Sequence, residues 1–423
     1  MINRNNKKGF TIVELVIVIA VIAILAAVLI PTFAGIIRKA NLSADMQAVR
    51  QMNSALMADG VSTPTDILNL HEVLAEQGMT SEDYHPLTND TYFFWDAELN
   101  RVLHVDKNLQ VIAPEEYAGQ AYSSAKKWYT LSLEIMEEKV KIDNNGAVTV
   151  KSGAQMQYVL NEIKDGKKEV AITVDGTVDM MGAAFNLPTF DENAGYKITI
   201  SGSGTIKNVT AMDYAEAALS SEDGQDGVYD CALIPTVKAG NTVTISGVTF
   251  DNLIVKNTAT SGVGLLIGGL KGTANISDVT ITNSTVIGHR NVGALVGTVN
   301  DYGKAIISGN ITLNNVDVMT VGGRSGMLVG IQDTSAKVDA TGATIVLDKE
   351  CSYGIYECER NKGVFEGKDL GLKDGKIYSY APDEGVETWM DYPYAEDALV
   401  MSRDANGNFV ADTTIFAGKV QWN

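Results

Sequence analysis

"TISGVTFDNLIV" (residues 244–255) is followed by "NISDVTITNSTV" (275–286) and "SGNITLNNVDV" (308–318), and the three superpose so that Asn252, Asn283 and Asn315 share a column. The steps between those asparagines are 31 and 32 residues. A second landmark, "GLLIG" (264–268), "GALVG" (293–297) and "GMLVG" (326–330), repeats at steps of 29 and 33. Two landmarks with nearly one period mark a repeat architecture. A unit of this size with short Val/Ile/Thr runs cannot bury its apolar face alone, so neighbouring units must stack into a solenoid. Parallel stacking places equivalent asparagines above one another, where their amides bond along the stack and to turn backbone. Asn208 of "GTIKNV" joins the column after a longer step. The expectation is an asparagine ladder, Asn208, Asn252, Asn283 and Asn315, in a right-handed parallel β-helix, with the glycines serving tight corners or positive φ. An immunoglobulin-like sandwich is the competing fold, but it does not call for repeats in register.

Outward from the repeat, the β-rich composition begins near residue 146 and includes one helical stretch from about Ala154 to Ile163, so the solenoid domain is read as 146–423, clearest over 240–335. Two segments leave the pattern: 211–230, an insert, and 378–400, which is aromatic and acidic. Residues 118–145 have no clean period and are read as a connector. Before them, "TYFFW", "RVLHV" and "LQVIA" predict three short antiparallel strands. Thr65-Asp66 caps a helix striped by Ile67, Leu70, Val73 and Leu74 that stops at Gly78. These elements form a small α/β head over 59–117. The aromatics Tyr92, Phe93, Phe94 and Trp95 are read as core packing rather than a ligand patch.

The other decisive stretch is "KKGFTIVELVIVIAVIAILAAVLIPTFAG" (7–35). Leu15 to Ile30 is an unbroken apolar run, and Phe10 to Phe33 makes twenty-four residues, enough at about 1.5 Å each to cross a hydrocarbon core of roughly 30 Å. Arg4, Lys7 and Lys8 precede it with no acid, which keeps the N-terminus cytoplasmic. A helix over 10–58, membrane-spanning over 10–33, is predicted, with an apolar face of Leu42, Met46, Val49, Met52 or Asn53, and Leu56. Glu14 is anomalous there, because a carboxylate in a membrane helix costs roughly 2.5–3.5 kcal/mol and is seldom left unpaired.

Gly9, Phe10, Thr11 and Glu14 ahead of the long run and Pro31 resemble the leader of type IV pilins and of type II secretion pseudopilins. That resemblance implies a leader at 1–9, cleavage by a prepilin peptidase between Gly9 and Phe10, and N-methylation of Phe10. It also makes Pro31 the helix-kinking proline. Cleavage creates a charged amine at Phe10 that can pair with Glu14 of a neighbouring subunit, an attraction of about 4 kcal/mol before desolvation. An uncleaved anchor with Glu14 at the interface is the plain alternative. The G-x-L-[IV]-G segments resemble the GLUG repeat of bacterial surface and adhesin-like proteins, including immunoglobulin A peptidase-type proteins outside their catalytic part. That likeness implies a surface scaffold.

The formal charge of −19, which becomes −22 without residues 1–9 and their three cations, argues against a nucleic-acid partner. His71, His85, His104 and His289 are scattered singly and share no metal-ligand spacing with Cys231, Cys351 and Cys358, so neither a metal nor a cofactor is expected. Cys351 and Cys358 either close a small loop or stand as two separate apolar side chains. Polysaccharide-acting β-helix enzymes stack carboxylates, yet the column before the asparagines reads Asp251, Thr282, Asn314, Asp317 aligns with Ile254 and Thr285, and Asp278 aligns with Gly247 and Asn310. Arg290 and Arg324 flank the glycine landmarks as turn residues. The expected function is structural: a membrane-inserted pilus or pseudopilus subunit, minor or tip-like, not an enzyme. Its partners are the peptidase, other pilin subunits, membrane lipid and a surface glycan or protein ligand. The alternatives are a membrane-anchored polysaccharide-acting enzyme and a pseudopilin of a secretion or DNA-uptake machine.

Overall fold

The computed structural model describes residues 12–58, 61–123, 125–185, 187, 190–212, 231–257, 262–320, 325–333, 335–348 and 351–355, with short strands beyond to residue 422. Gly9 and Phe10, the bulk of the 211–230 insert, Arg324, Cys358 and almost all of 378–400 lie outside the described residues.

A single helix, α1 (Ile12–Leu56), runs straight through Pro31 in sequence. In its first part the described apolar side chains are largely exposed: Ile19, Ile22 and Phe33 are each more than half exposed. Only from Asp45 onward is one face buried, by Val49, Met52, Ala55 and Leu56. Of the two candidates at the stripe's fourth position, Met52 fills the core, while Asn53 exchanges two hydrogen bonds with the main chain of Val102 at 2.7 and 2.9 Å. Helix α2 (Ile67–Glu76) is capped by the Asp66 carboxylate, which accepts from the Asn69 amide.

Strands β1 (Thr91–Asp96), β2 (Arg101–Asp106) and β3 (Val111–Ala113) form the antiparallel meander, and β4 (Trp128–Thr130) adds a fourth strand beside β1. The segment without a readable period therefore belongs partly to the head's sheet. Both faces of that sheet are covered. Phe93, Trp95, Val102 and Leu131 pack with α1 and α2, whereas Phe94, Leu103, Val105, Val111 and Trp128 point the other way, into the core of the β-rich domain. Burial on both faces explains why "TYFFW" reads as a continuous apolar run instead of an alternation.

The solenoid begins with β5 (Ala147–Val150), sealed by helix α3 (Gly153–Lys164). Met156, Val159, Leu160 and Ile163 of α3 plug the open end of the solenoid core. Then follow β6 (Glu169–Val174), β7 (Thr177–Asp179), β8 (Lys197–Gly202), β9 (Thr205–Met212), β10 (Ile234–Val237), β11 (Thr242–Ser246) and β12 (Thr249–Asn257). Further along come β13 (Val263–Gly264), β14 (Ile267–Leu270), β15 (Thr273–Gly288), β16 (Val292–Gly293), β17 (Val296–Val299), β18 (Lys304–Thr320), β19 (Ser325–Gly326), β20 (Val329–Gln332) and β21 (Lys337–Leu347). From β5 to β21 every pairing between these strands is parallel, β6 on β8, β8 on β11, β11 on β15, β15 on β18 and β18 on β21. A sandwich is excluded by that topology.

The register accounts for the uneven period. Ser277 faces Ser308, but Val279 faces Ile311, so β18 carries one extra residue at Gly309-Asn310. That bulge is the difference between the 31- and 32-residue steps.

Candidate functional sites

Two features were singled out by the sequence, one in the N-terminal helix and one in the solenoid. Glu14 and Pro31 both lie on the backbone of α1, within the part of the helix that the head leaves uncovered. A helix of this length and apolarity is sufficient to cross a membrane. It fits a membrane anchor followed by a folded head.

The asparagine column lies on the solenoid. Asn208, Asn252, Asn283 and Asn315 all have positive φ, 55°, 55°, 48° and 52°. Each sits at the corner where a strand bends from one solenoid face to the next. Asparagine tolerates this left-handed conformation because its short amide bonds locally. Asn252 donates to the Asn208 side-chain oxygen at 2.8 Å, and Asn315 donates to that of Asn283 at 3.0 Å. Between them the run is broken, since Asn283 donates to the Asp251 carboxylate at 2.8 Å. Carboxylates also close both ends: Asp179 accepts from Asn208 at 2.8 Å, and Asp348 accepts from the Asn315 backbone N–H at 3.1 Å. The sequence reading noted Asp251 only as an isolated acid and missed Asp179 and Asp348. Their signal was available in the column just before the asparagines.

The asparagines also take corner positions of the kind that the sequence assigned to glycine. The corners that need positive φ in this column are asparagines, and the G-x-L-[IV]-G glycines serve space instead. A Cβ on Gly264 would lie 2.1 Å from the Ile267 carbonyl oxygen, and one on Gly293 would lie 2.4 Å from that of Val296. The narrow edge of the solenoid closes only because the backbones meet there without side chains. The corner reading does hold elsewhere, at Gly247 and Gly309, both in the left-handed region.

The column preceding the asparagines reads Asp179, Lys207, Asp251, Thr282, Asn314 by strand pairing, and no two acids are adjacent in it. Lys207 instead pairs with Asp179 at 3.2 Å. Among the described residues there is no group of three His, Cys, Asp or Glu arranged to hold a metal ion.

The histidines are structural in their surroundings. His71 stacks on Tyr84 with centroids 4.7 Å apart, and burial pushes it down to about 4. His104 is wholly buried on β2, with Nε2 3.9 Å from the Asp45 carboxylate of α1. Burial lowers its pKa and Asp45 opposes that shift. Asp45 itself accepts from the Leu87 and Thr88 amides at 2.7 and 2.9 Å, which ties the stem to the loop before β1. Cys351 is buried, its thiol pushed up to about 12, and it donates to the Leu313 carbonyl at 3.2 Å.

Comparison with known proteins finds a family match at the N-terminus. Residues 4–30 match the family described as the prokaryotic N-terminal methylation motif. Type IV major fimbrial protein FimA of Dichelobacter nodosus is 44% identical over 53 residues, which is 12% of this chain and 34% of that protein. Type IV major alpha-pilin of Moraxella bovis is 36% identical over 88 residues, 20% of this chain and 50% of that one. The type IV wide pilus major component PilA4 of Thermus thermophilus is 64% identical over 36 residues, 8% and 28% respectively. The chain thus spans half or less of the length of these relatives. Among solved structures, the crystal structure of a putative immunoglobulin A1 protease from Bacteroides ovatus aligns over 52% of this chain and 67% of its own. Its sequence identity is 19% and its TM-score 0.34, a likeness too loose to bear on activity.

Proposed function

We propose that this chain is a prepilin-type, membrane-inserted structural subunit of a type IV pilus or a related pseudopilus, and that its solenoid is a presentation domain carried outside the membrane. The observation that carries the reading is the match of residues 4–30 to the N-terminal methylation motif, which runs into the first part of a helix whose apolar side chains the head leaves largely exposed. An uncovered apolar helix needs lipid before assembly and other helices after it. Cleavage between Gly9 and Phe10 supplies the amine that Glu14 of a neighbouring subunit accepts. The N-terminus stays cytoplasmic and the head and solenoid are extracytoplasmic. A solenoid of this bulk on every subunit would crowd a shaft, which favours a minor or tip subunit with an adhesive role toward a surface glycan or protein.

Intact-mass and N-terminal analysis of the native protein, with and without prepilin peptidase, tests the first part. A chain beginning at a methylated Phe10 is expected when the peptidase is present. A Met1 terminus in cells that have the peptidase would overturn it. The adhesive role is tested separately by retention of the full chain on arrayed glycans and surface proteins, where turnover of a glycan instead of retention would favour an enzyme.

A further inference from the structure

We infer that the head and the solenoid form one rigid body, joined through a docking strip written into the repeat, so that the solenoid is held at a fixed angle to the stem helix. Two modules of one chain ordinarily move relative to each other unless the contact between them is extensive and apolar. Three independent observations set this contact apart from that default.

The first is the sheet of the head, whose second face, Phe94, Leu103, Val105, Val111 and Trp128, is buried in one continuous apolar cluster with the solenoid core. The second is a departure from the repeat. The outward column on the strands after the asparagines reads Thr210, Ile254, Thr285, Asp317. Ile254 is the apolar member, and it is buried in the head's own cluster with Val49, Leu70 and Trp95. Two residues on, Lys256 reaches Glu72 of α2 at 2.6 Å. The turn at which the pattern changes from polar to apolar is one that meets the head.

The third is a run of polar contacts along the start of the ladder. The Tyr122 hydroxyl donates to Asp179 at 3.1 Å, and Tyr129 packs against the cluster that contains Ile254. The Thr130 amide donates to the Met181 carbonyl, and Gly182 allows that approach, since a Cβ there would lie 3.3 Å from the Thr130 nitrogen. The first rung of the ladder, Asp179 with Asn208, is therefore shared between holding the solenoid's corner and holding the head. If the chain is a pilus subunit, load applied to the solenoid passes into α1 through this contact without a flexible tether.

The test uses the full chain in detergent micelles, with nitroxide labels at Met57→Cys and Tyr302→Cys and the three native cysteines replaced by alanine. Both labelled positions are exposed. Electron–electron double resonance should give one narrow distance distribution for the parent chain. Ile254→Asp should broaden it about twofold, as expected for modules released from an apolar contact, while Thr285→Asp, one turn away in the same column, leaves it unchanged. Tyr122→Phe with Lys256→Ala, which remove only contacts across the joint, should broaden it to a smaller extent, and this pair decides the matter if Ile254→Asp does not fold. A broad distribution in the parent chain, or an unchanged one in the folded variants, would overturn the inference. Processing at Gly9 does not enter this measurement, so it fails or succeeds independently of the pilus reading.

Discussion

The side-chain amide of Asn283 donates to the carboxylate of Asp251 at 2.8 Å, across the corner from the Asn252 amide that strict stacking would have offered it. The ladder is thus two asparagine pairs, 208 with 252 and 283 with 315, spliced and terminated by aspartates. Each corner residue does two jobs, adopting positive φ and bonding to the next turn, and these can be separated by substitution.

Asn283→Gly keeps the left-handed backbone accessible and loses the amide bonds, so it should cost about 1 kcal/mol. Asn283→Ala loses the same bonds and adds a left-handed penalty of roughly 1–2 kcal/mol, so it should cost about 2–3 kcal/mol. The two urea midpoints, compared with the parent, check the order. Equal midpoints would show that the corner backbone contributes nothing.

Gly264→Ala and Gly293→Ala should be far more damaging than a glycine change in the stem. A Cβ at either site meets backbone carbonyl oxygens at 2.1 and 2.4 Å, whereas at Gly35 nothing lies within 4 Å. The first two should lower stability by about 3 kcal/mol or more, because rigid backbone and not a movable side chain must give way. Gly35→Ala should leave the solenoid's thermal midpoint unchanged. Calorimetry of the three variants makes the comparison.

Acid should loosen the head before neutral pH is left far behind. His71 and His104 are both depressed below 6.5 by burial, His71 to about 4. A base depressed in the folded state binds fewer protons there than in the unfolded chain. Its cost is therefore absent above pH 6.5 and grows as pH falls through 6.5 toward 4. For His71 alone this approaches about 3 kcal/mol at the acid end. Denaturation followed by the fluorescence of Trp95 and Trp128, at pH 7 and at pH 5, should show the loss, and His71→Gln should flatten the dependence. A parent midpoint that is independent of pH over that interval would count against it.

Glu14→Ala should leave membrane insertion and removal of the leader intact while preventing incorporation into filaments. Membrane fractionation and the mass of the processed chain report the first two, and shearing of surface filaments reports the third. Normal incorporation of the variant would assign Glu14 to the anchor and not to assembly.

The elements of the fold were largely legible from sequence because each is driven by a local pattern. The long apolar run gives α1, the Asp66 cap gives α2, and the two landmarks with one period give the parallel stack. The residues that join modules were not, and the reason is physical. Trp128 lies in a segment with no period of its own because its strand pairs with β1, more than thirty residues earlier in sequence. Ile254 looks like one more strand residue until strand pairing shows that its column is otherwise polar. The spacing role of the landmark glycines was hidden for a similar reason, since only the closeness of the Ile267 carbonyl distinguishes a spacing glycine from a turning one.

The helical plug at one end of the solenoid makes its growth one-sided. With α3 closing the stack at β5 and the head seated near β12, the turns at this end are committed to contacts outside the repeat. Each turn beyond contacts only its neighbours and adds about 4.8 Å of height. Whole repeats could be duplicated or deleted past that point without disturbing the stem, which makes the number of turns a ruler for how far the outermost surface stands from the body that carries it.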